Sequence, residues 1–170
     1  MALAGPDGTQ LNPADADNFE EIEKQFAVKV VDQMSTYWGL LENVPGSKLR
    51  LTNYDDEILA HFQRDFPDFD LNGTIDEDEM KSKEGKARWR AFCDAYSGDK
   101  EKGGREDLKV EDYNFGTMLR ANPAWEYGEK ETIFAVRMQF YAIEIARNRA
   151  GLNDWIYEKA QKEKAASKSS

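Results

Sequence analysis

The segment Asp68-Phe-Asp-Leu-Asn-Gly-Thr-Ile-Asp-Glu-Asp-Glu79 has the residue types and the spacing of a calcium loop. Calcium takes roughly six to eight hard oxygens, and such a loop supplies them from alternate positions around a glycine turn. Asp68, Asp70 and Asn72 occupy its first, third and fifth places, and Gly73 the turn. Thr74 would offer its carbonyl, Asp76 a water-bridged contact and Glu79 both carboxylate oxygens. The flanks argue against the chemistry. Pro67, directly before the first ligand, pushes Phe66 out of helical geometry. The residues after Met80, Lys-Ser-Lys-Glu-Gly-Lys, lack the apolar spacing of an exiting helix, and no second copy of the loop exists to buttress the first. The segment therefore reads as an acidic turn, with Asn-Gly making the reversal and Asp/Glu opening the next helix. No metal site is assigned. Were calcium to bind, an unpaired loop would hold it at about 10⁻⁴ M or more weakly.

Other chemistries have less support. Asp68/Asp70 and Asp76/Asp78 spell the D-x-D that holds a divalent metal in some sugar transferases, but acid pairs at this spacing are common in so acidic a chain. His61 is the one histidine, on the exposed or partly exposed side of a short helix, with no Ser, Cys or second His at motif spacing. Cys93 has no partner for a disulfide or a metal and reads as a small core residue. Neither phosphate-binding glycine motif, G-x-x-x-x-G-K-[ST] or G-x-G-x-x-G, is present. The residues point to a non-enzymatic protein with no catalytic group and no cofactor. The alternatives are a calcium-binding regulatory protein using loop 68–79 and, further off, a metal-dependent enzyme of polysaccharide biosynthesis.

The chain has 170 residues, 40% of them hydrophobic, and a formal net charge of −10. That size suits one domain. The charge disfavours nucleic acid and anionic lipid and favours a basic partner. No apolar run is long enough to span a bilayer and the start lacks the features of a secretory signal, so the expectation is a cytoplasmic monomer.

These side chains need elements to position them. Phe19, Ile22, Phe26, Val30, Met34, Tyr37 and Leu41 recur at three or four residues and predict one face of a long helix, with Asp17 and Glu20 as its cap. Thr52 opens a second helix burying Tyr54, Ile58, Leu59, Phe62 and Phe66, and Pro67 ends it. Ala87, Ala91, Phe92, Ala95 and Tyr96 mark a third, carrying Trp89 and Cys93. The polar, glycine-rich stretch 97–109 reads as an exposed, protease-sensitive loop. Gly-Thr-Met-Leu-Arg120 and Thr-Ile-Phe-Ala-Val136 have strand composition. Residues 136–149 are apolar almost all round, as expected of a central helix closed by Gly151, and Asp154 caps a last one. The fold class is mainly α, α+β at most: a compact helical single domain with a short two-stranded β element between Phe115 and Val136. Residues 1–18 form a flexible N-terminal segment, 19–158 the globular domain, and 159–170 a lysine-rich, frayed C-terminal tail.

Four strings carry a resemblance: 47–67 (Ser-Lys-Leu-Arg-Leu-Thr-Asn-Tyr and onward), Lys-Ala-Arg-Trp-Arg-Ala-Phe92, Asp-Tyr-Asn-Phe-Gly-Thr-Met-Leu-Arg120, and 131–154. In this order they resemble the polysaccharide-biosynthesis-domain-containing family, small cytosolic proteins of fungi and animals, over most of the chain from about Phe26 to Asp154. The resemblance implies a dedicated chaperone of translation elongation factor 1-alpha. Such a chaperone meets the client's nascent GTP-binding domain at the ribosome, helped by the nascent-polypeptide-associated complex, and shields it until GTP-linked folding is complete. An acidic protein with aromatic surface suits a basic client that exposes apolar segments before its core closes. Candidate client contacts are the acidic run Asp55, Asp56 and Glu57, the group Asn114, Phe115, Arg120 and Arg137, and Trp125 in its polar loop. For Phe115–Arg120 with Arg137, Glu144, Arg147 and Asn148, a buried salt-bridge network that fixes the fold is the first reading and a client-contact patch the sharper alternative. Gly116 is expected to permit a tight backbone turn.

Overall fold

A computed structural model describes residues 3–4, 10–11 and 16–169, with side chains for 24–168. The first described elements are two short antiparallel strands, β1 (Leu3–Ala4) and β2 (Gln10–Leu11). The remainder of the expected flexible segment, before residue 16, lies outside the described residues.

Helix α1 (Ala16–Asn43) has 28 residues and so spans about 42 Å. It starts before Asp17, which lies in the first turn and not at a cap position. The apolar stripe holds at its C-terminal end, where Tyr37 and Leu41 are buried, and weakens toward the N-terminus, where Phe26 is 46% exposed. Phe19 and Ile22 have side chains outside the described residues.

A 3-10 turn at Gly46–Lys48 leads to α2 (Asp55–Asp65). Ile58, Phe62 and Phe66 are buried, as the spacing predicts. Phe66 leaves helical geometry at φ −128°, ψ 58°, the effect expected of Pro67. The acidic segment then makes a turn, a single helical turn α3 (Glu77–Met80), and α4 (Lys83–Asp94) capped by Ser82. The buried side of this region is Trp89, Phe92, Cys93 and Tyr96. Ala87 and Ala91 are exposed, so the alanines do not mark the packed face. Two 3-10 turns, Lys100–Lys102 and Glu106–Leu108, give the glycine-rich stretch more structure than a plain loop.

Strands β3 (Gly116–Arg120) and β4 (Thr132–Val136) fall on the two strings with strand composition and pair antiparallel, with Met118 opposite Phe134. Helix α5 (Arg137–Arg149) follows directly and is the centre of the molecule, with Met138, Phe140, Ala142, Ile143 and Ile145 buried. It contacts α2, α4, β3 and β4. Gly151, at φ +76°, closes it in the left-handed conformation that glycine adopts without strain. Helix α6 (Asp154–Ser169) packs along α1. The lysine-rich stretch expected to fray is therefore helix to Ser169. Gln161 donates to the Glu42 carbonyl at 3.3 Å and Lys164 to Asn43 at 3.1 Å. The architecture is mainly α, one unit around α5 with a short hairpin on its flank.

Candidate functional site

The N-terminal half of α1 and the outer side of the hairpin meet in an apolar groove of about 460 Å³. Phe26, Val31, Met34, Met118 and Phe134 line it. Phe26 and Phe134 touch ring to ring at 6.3 Å between centroids, yet Phe26, Val31 and Phe134 remain 46%, 52% and 45% exposed. Gly116 makes this contact possible. A Cβ there would lie 2.5 Å from the Cζ of Phe134 and 2.7 Å from that of Phe26. Its role is close approach of two rings, and its φ is not positive, so the expected tight turn is replaced by a packing reason. Below the groove the Thr117 hydroxyl donates to the side-chain oxygen of Gln33, fixing where α1 leaves the hairpin. Phe115, just before β3, is 58% exposed but does not line this groove. Tyr127 and Gly128 border both the groove and the turn that carries Trp125, which is 38% exposed.

The other candidate contacts divide sharply. Arg120 is fully buried and is withdrawn from the surface. Its guanidinium donates to Glu144 at 3.0 Å, to Asn153 at 2.6 Å, and to the carbonyls of Pro123 and Trp125 at 2.9 and 3.0 Å. Arg147, equally buried, donates to the Arg120 carbonyl at 2.9 Å and lies 3.8 Å from Glu144. Asn153 bridges Glu144 and Asn148, and Asn148 donates to the Tyr37 hydroxyl at 3.1 Å. Burial pulls Arg147 down from the ordinary arginine value and Glu144 opposes it. Burial pushes Tyr37 and Tyr127 well above the usual phenol range, and the Glu144 charge adds to this. Of the two readings of this cluster, the network that fixes the fold describes Arg120, Glu144, Arg147 and Asn148.

Asp55 is also withdrawn. It is 4% exposed, and its carboxylate accepts from the Leu51 and Thr52 amides at 2.8 and 2.7 Å and from the Thr52 hydroxyl at 2.6 Å. Asp56 is exposed and paired with Arg149 at 2.7 Å; Glu57 is exposed. Asn114 is exposed beside Phe115, and Arg137 is half-buried, 3.2 Å from Asp112. Arg149 and Arg137 end α5 on opposite sides, so the acidic run lies about 18 Å along that axis from the Phe115 group. The structure does not bring the two candidate patches together.

Sequence reasoning missed Phe134, Phe26 and Val31 as a surface. The signal was present in two places. The stripe on α1 runs past what the described residues cover, and Thr-Ile-Phe-Ala-Val136 is apolar on both strand faces while the described residues cover one.

In the acidic segment two of the would-be ligands, Asp70 and Asp76, serve the backbone. Asp70 accepts from the Asn72 amide at 3.2 Å and Asp76 caps α3 through the Glu79 amide at 3.2 Å. The Ile75 amide donates to the Ala121 carbonyl at 2.8 Å and Asn122 donates to the Thr74 hydroxyl at 3.1 Å, which docks the loop on the hairpin. Among the described residues no three His, Cys, Asp or Glu side chains are grouped to hold a metal. His61 is half-buried, between Tyr96 at 2.9 Å and Asp65 at 2.8 Å and stacked on Phe92. It is less exposed than its helix position suggests, and burial lowers its pKa. Cys93 is free and buried, its thiol pushed up to about 12 by burial.

Fold and surface together define a small, mainly helical protein with a sealed polar centre and an uncovered apolar face. The chain belongs to the PBDC1 protein family, the polysaccharide-biosynthesis-domain-containing family, whose sequence model matches residues 22–158. It is 53% identical over 149 residues to the PBDC1 homolog of Saccharomyces cerevisiae, covering 86% of this chain and 95% of that one. It is 38% identical over 144 residues to human PBDC1, covering 85% of this chain and 57% of that one. The solution structure of yst0336 from Saccharomyces cerevisiae superposes with a TM-score of 0.71 at 51% identity, over 87% of this chain and 97% of that one. Among the described residues, no helix is long and apolar enough to cross a membrane.

Proposed function

We propose that the protein is a non-enzymatic, cytoplasmic, co-translational chaperone that holds the nascent GTP-binding domain of elongation factor 1-alpha, alongside the nascent-polypeptide-associated complex at the ribosome. The client comes from the family resemblance. The observation that carries the holding role is the exposed apolar face of Phe26, Val31 and Phe134. A contiguous apolar patch on a protein with 33 acidic residues is a binding surface before it is anything else.

The energetics suit reversible capture. Covering the exposed half of each side chain supplies roughly 1 kcal/mol, so three of them give about 2–3 kcal/mol before the cost of ordering the client. A holder of unfolded chain opposes folding in proportion to its affinity, and one this weak lets go when the client's own core closes. The surrounding acidic surface, including Asp56 and Glu57, steers a basic client toward the face without adding much to the bound state.

The test is recovery of ribosome-bound nascent chains on the tagged protein from a translating lysate. Enrichment of elongation factor 1-alpha chains once their GTP-binding domain has left the exit tunnel is the expected result. Absence of that factor, nascent or free, would sink the proposal.

A further inference from the structure

On the other side of β4 lies a larger groove, about 660 Å³, and its charge is opposite to that of the molecule. Four cations line it, Lys81, Lys86, Arg90 and Lys102, against one carboxylate, Asp94. The chain as a whole has 23 basic and 33 acidic residues, so this grouping runs against composition. Lys81 is paired with Glu77 at 2.9 Å. Lys86, Arg90 and Lys102 are exposed and form no ion pair with a described residue. Lys86 and Arg90 stand one turn apart on α4, about 6 Å along its axis. Between the cations the groove is apolar, with Trp89, Val136 and one side of the Phe134 ring.

We propose that this groove binds an acidic, amphipathic protein segment, its carboxylates on Lys86, Arg90 and Lys102 and an aromatic or aliphatic side chain on Trp89 and Val136. Two features select that partner among anions. The cations sit at the rim around an apolar floor, so a ligand that is charge alone leaves the floor wet, while a segment with both features uses the whole groove. Carboxylates flank the groove, Glu77 and Glu79 on α3, Glu84 in the first turn of α4, Asp107 in the Glu106–Leu108 turn, and Glu111 and Asp112 between that turn and β3; Glu77, Asp107, Glu111 and Asp112 are each paired with a lysine or arginine. A long polyanion such as RNA, or an anionic membrane, would extend past the groove along a chain of net charge −10 and be repelled. A short acidic peptide ends before it does. This site takes a partner of opposite charge to the client proposed above, and it stands without that proposal.

The experiment is a ¹⁵N NMR titration of the full chain with a synthetic peptide of alternating glutamates carrying a phenylalanine and a leucine. The same peptide with glutamine for glutamate, inorganic phosphate, polyuridylate and phosphatidylserine vesicles form the other arms. The expected result is saturable shifts at residues 81–102 and 134–139 with the acidic peptide, and none that saturate in the other arms. In Lys86→Glu/Arg90→Glu the peptide should bind at least about tenfold more weakly, and more so at low salt than at high. Lys86→Gln/Arg90→Gln, melting like the parent, gives the same reading should charge reversal unfold the chain. Absence of shifts with the acidic peptide, equal binding of the glutamine peptide, tighter binding of polyuridylate or vesicles, or indifference to both variants would overturn the site.

Discussion

The buried cluster around Glu144 and the face around Phe26 invert the usual distribution of residue types. Two arginines and a glutamate lie at full burial in the centre, while three aromatics stand half in solvent at the edge. Both sit against the same hairpin, Arg120 at the end of β3 and Gly116 at its start. The difference teaches what each is for. A buried ion cluster is tolerated best where its hydrogen bonds are made inside the chain; here Asn153 and three carbonyls accept from the two guanidinium groups, while Arg120 Nε and Arg147 Nε and Nη2 have no acceptor among the described residues. An exposed aromatic cluster contributes little to folding, and under the proposed function a partner covers it.

The comparison can be broken most forcefully at Glu144. Glu144→Gln leaves two buried guanidinium groups without their counter-charge, which costs about 3–5 kcal/mol and lowers the melting temperature by roughly 10 °C. Thermal denaturation followed by circular dichroism measures it; a loss under a few degrees would mean that the cluster is wet and not sealed. A smaller effect separates neighbours in the acidic run. Asp55→Ala removes three hydrogen bonds from a buried carboxylate and costs about 1–2 kcal/mol. Asp56→Ala removes one exposed pair with Arg149 and changes stability by about 0.5 kcal/mol or less. Urea denaturation of the two variants should rank them in that order.

Gly116→Ala sharpens the open side. The added methyl must displace the Phe26 or Phe134 ring, at about 1 kcal/mol, and hydrogen exchange should quicken along α1 near residue 26 while α5 stays protected. Exchange unchanged there would mean that the ring contact does not hold α1 to the hairpin. The smallest effect is on pH dependence. Burial lowers the His61 pKa, so below the ordinary value near 6.5 the unfolded chain binds more protons than the folded one. The stability it contributes is complete above that value and is lost as pH falls toward the folded pKa. His61→Gln should therefore lose less melting temperature than the parent between pH 7.5 and pH 5, and a parallel loss would assign the acid sensitivity elsewhere.

The sealed region was partly legible in the sequence and the open one was not. Residues 137–149 read as a central helix because they are apolar on every side, and the two strands by their β-branched and aromatic content. Arg120 read two ways, as part of a buried network and as a client contact, and Asp55 read as surface because charge in a run usually is. Their burial depends on Glu144, Asn153 and the 51–52 backbone, which lie across the fold or behind the run. Phe26 and Phe134 failed in the opposite direction. Each sits in a regular apolar pattern, and a pattern shows which face is apolar without showing whether anything covers it. The calcium spelling was read from its flanks; the geometry of Phe66 agrees on the entering side, while on the exit side α3 and α4 follow where residues 81–86 gave no apolar spacing for a helix.

The central claim is that the uncovered face holds the client, and Phe26→Ser/Phe134→Ser tests it most directly. The paired measurement is the melting temperature of the variant and its capture of ribosome-bound elongation factor 1-alpha chains, side by side with the parent. The account predicts a melting temperature within a few degrees and capture reduced about tenfold or more. Full capture by the folded variant would contradict it.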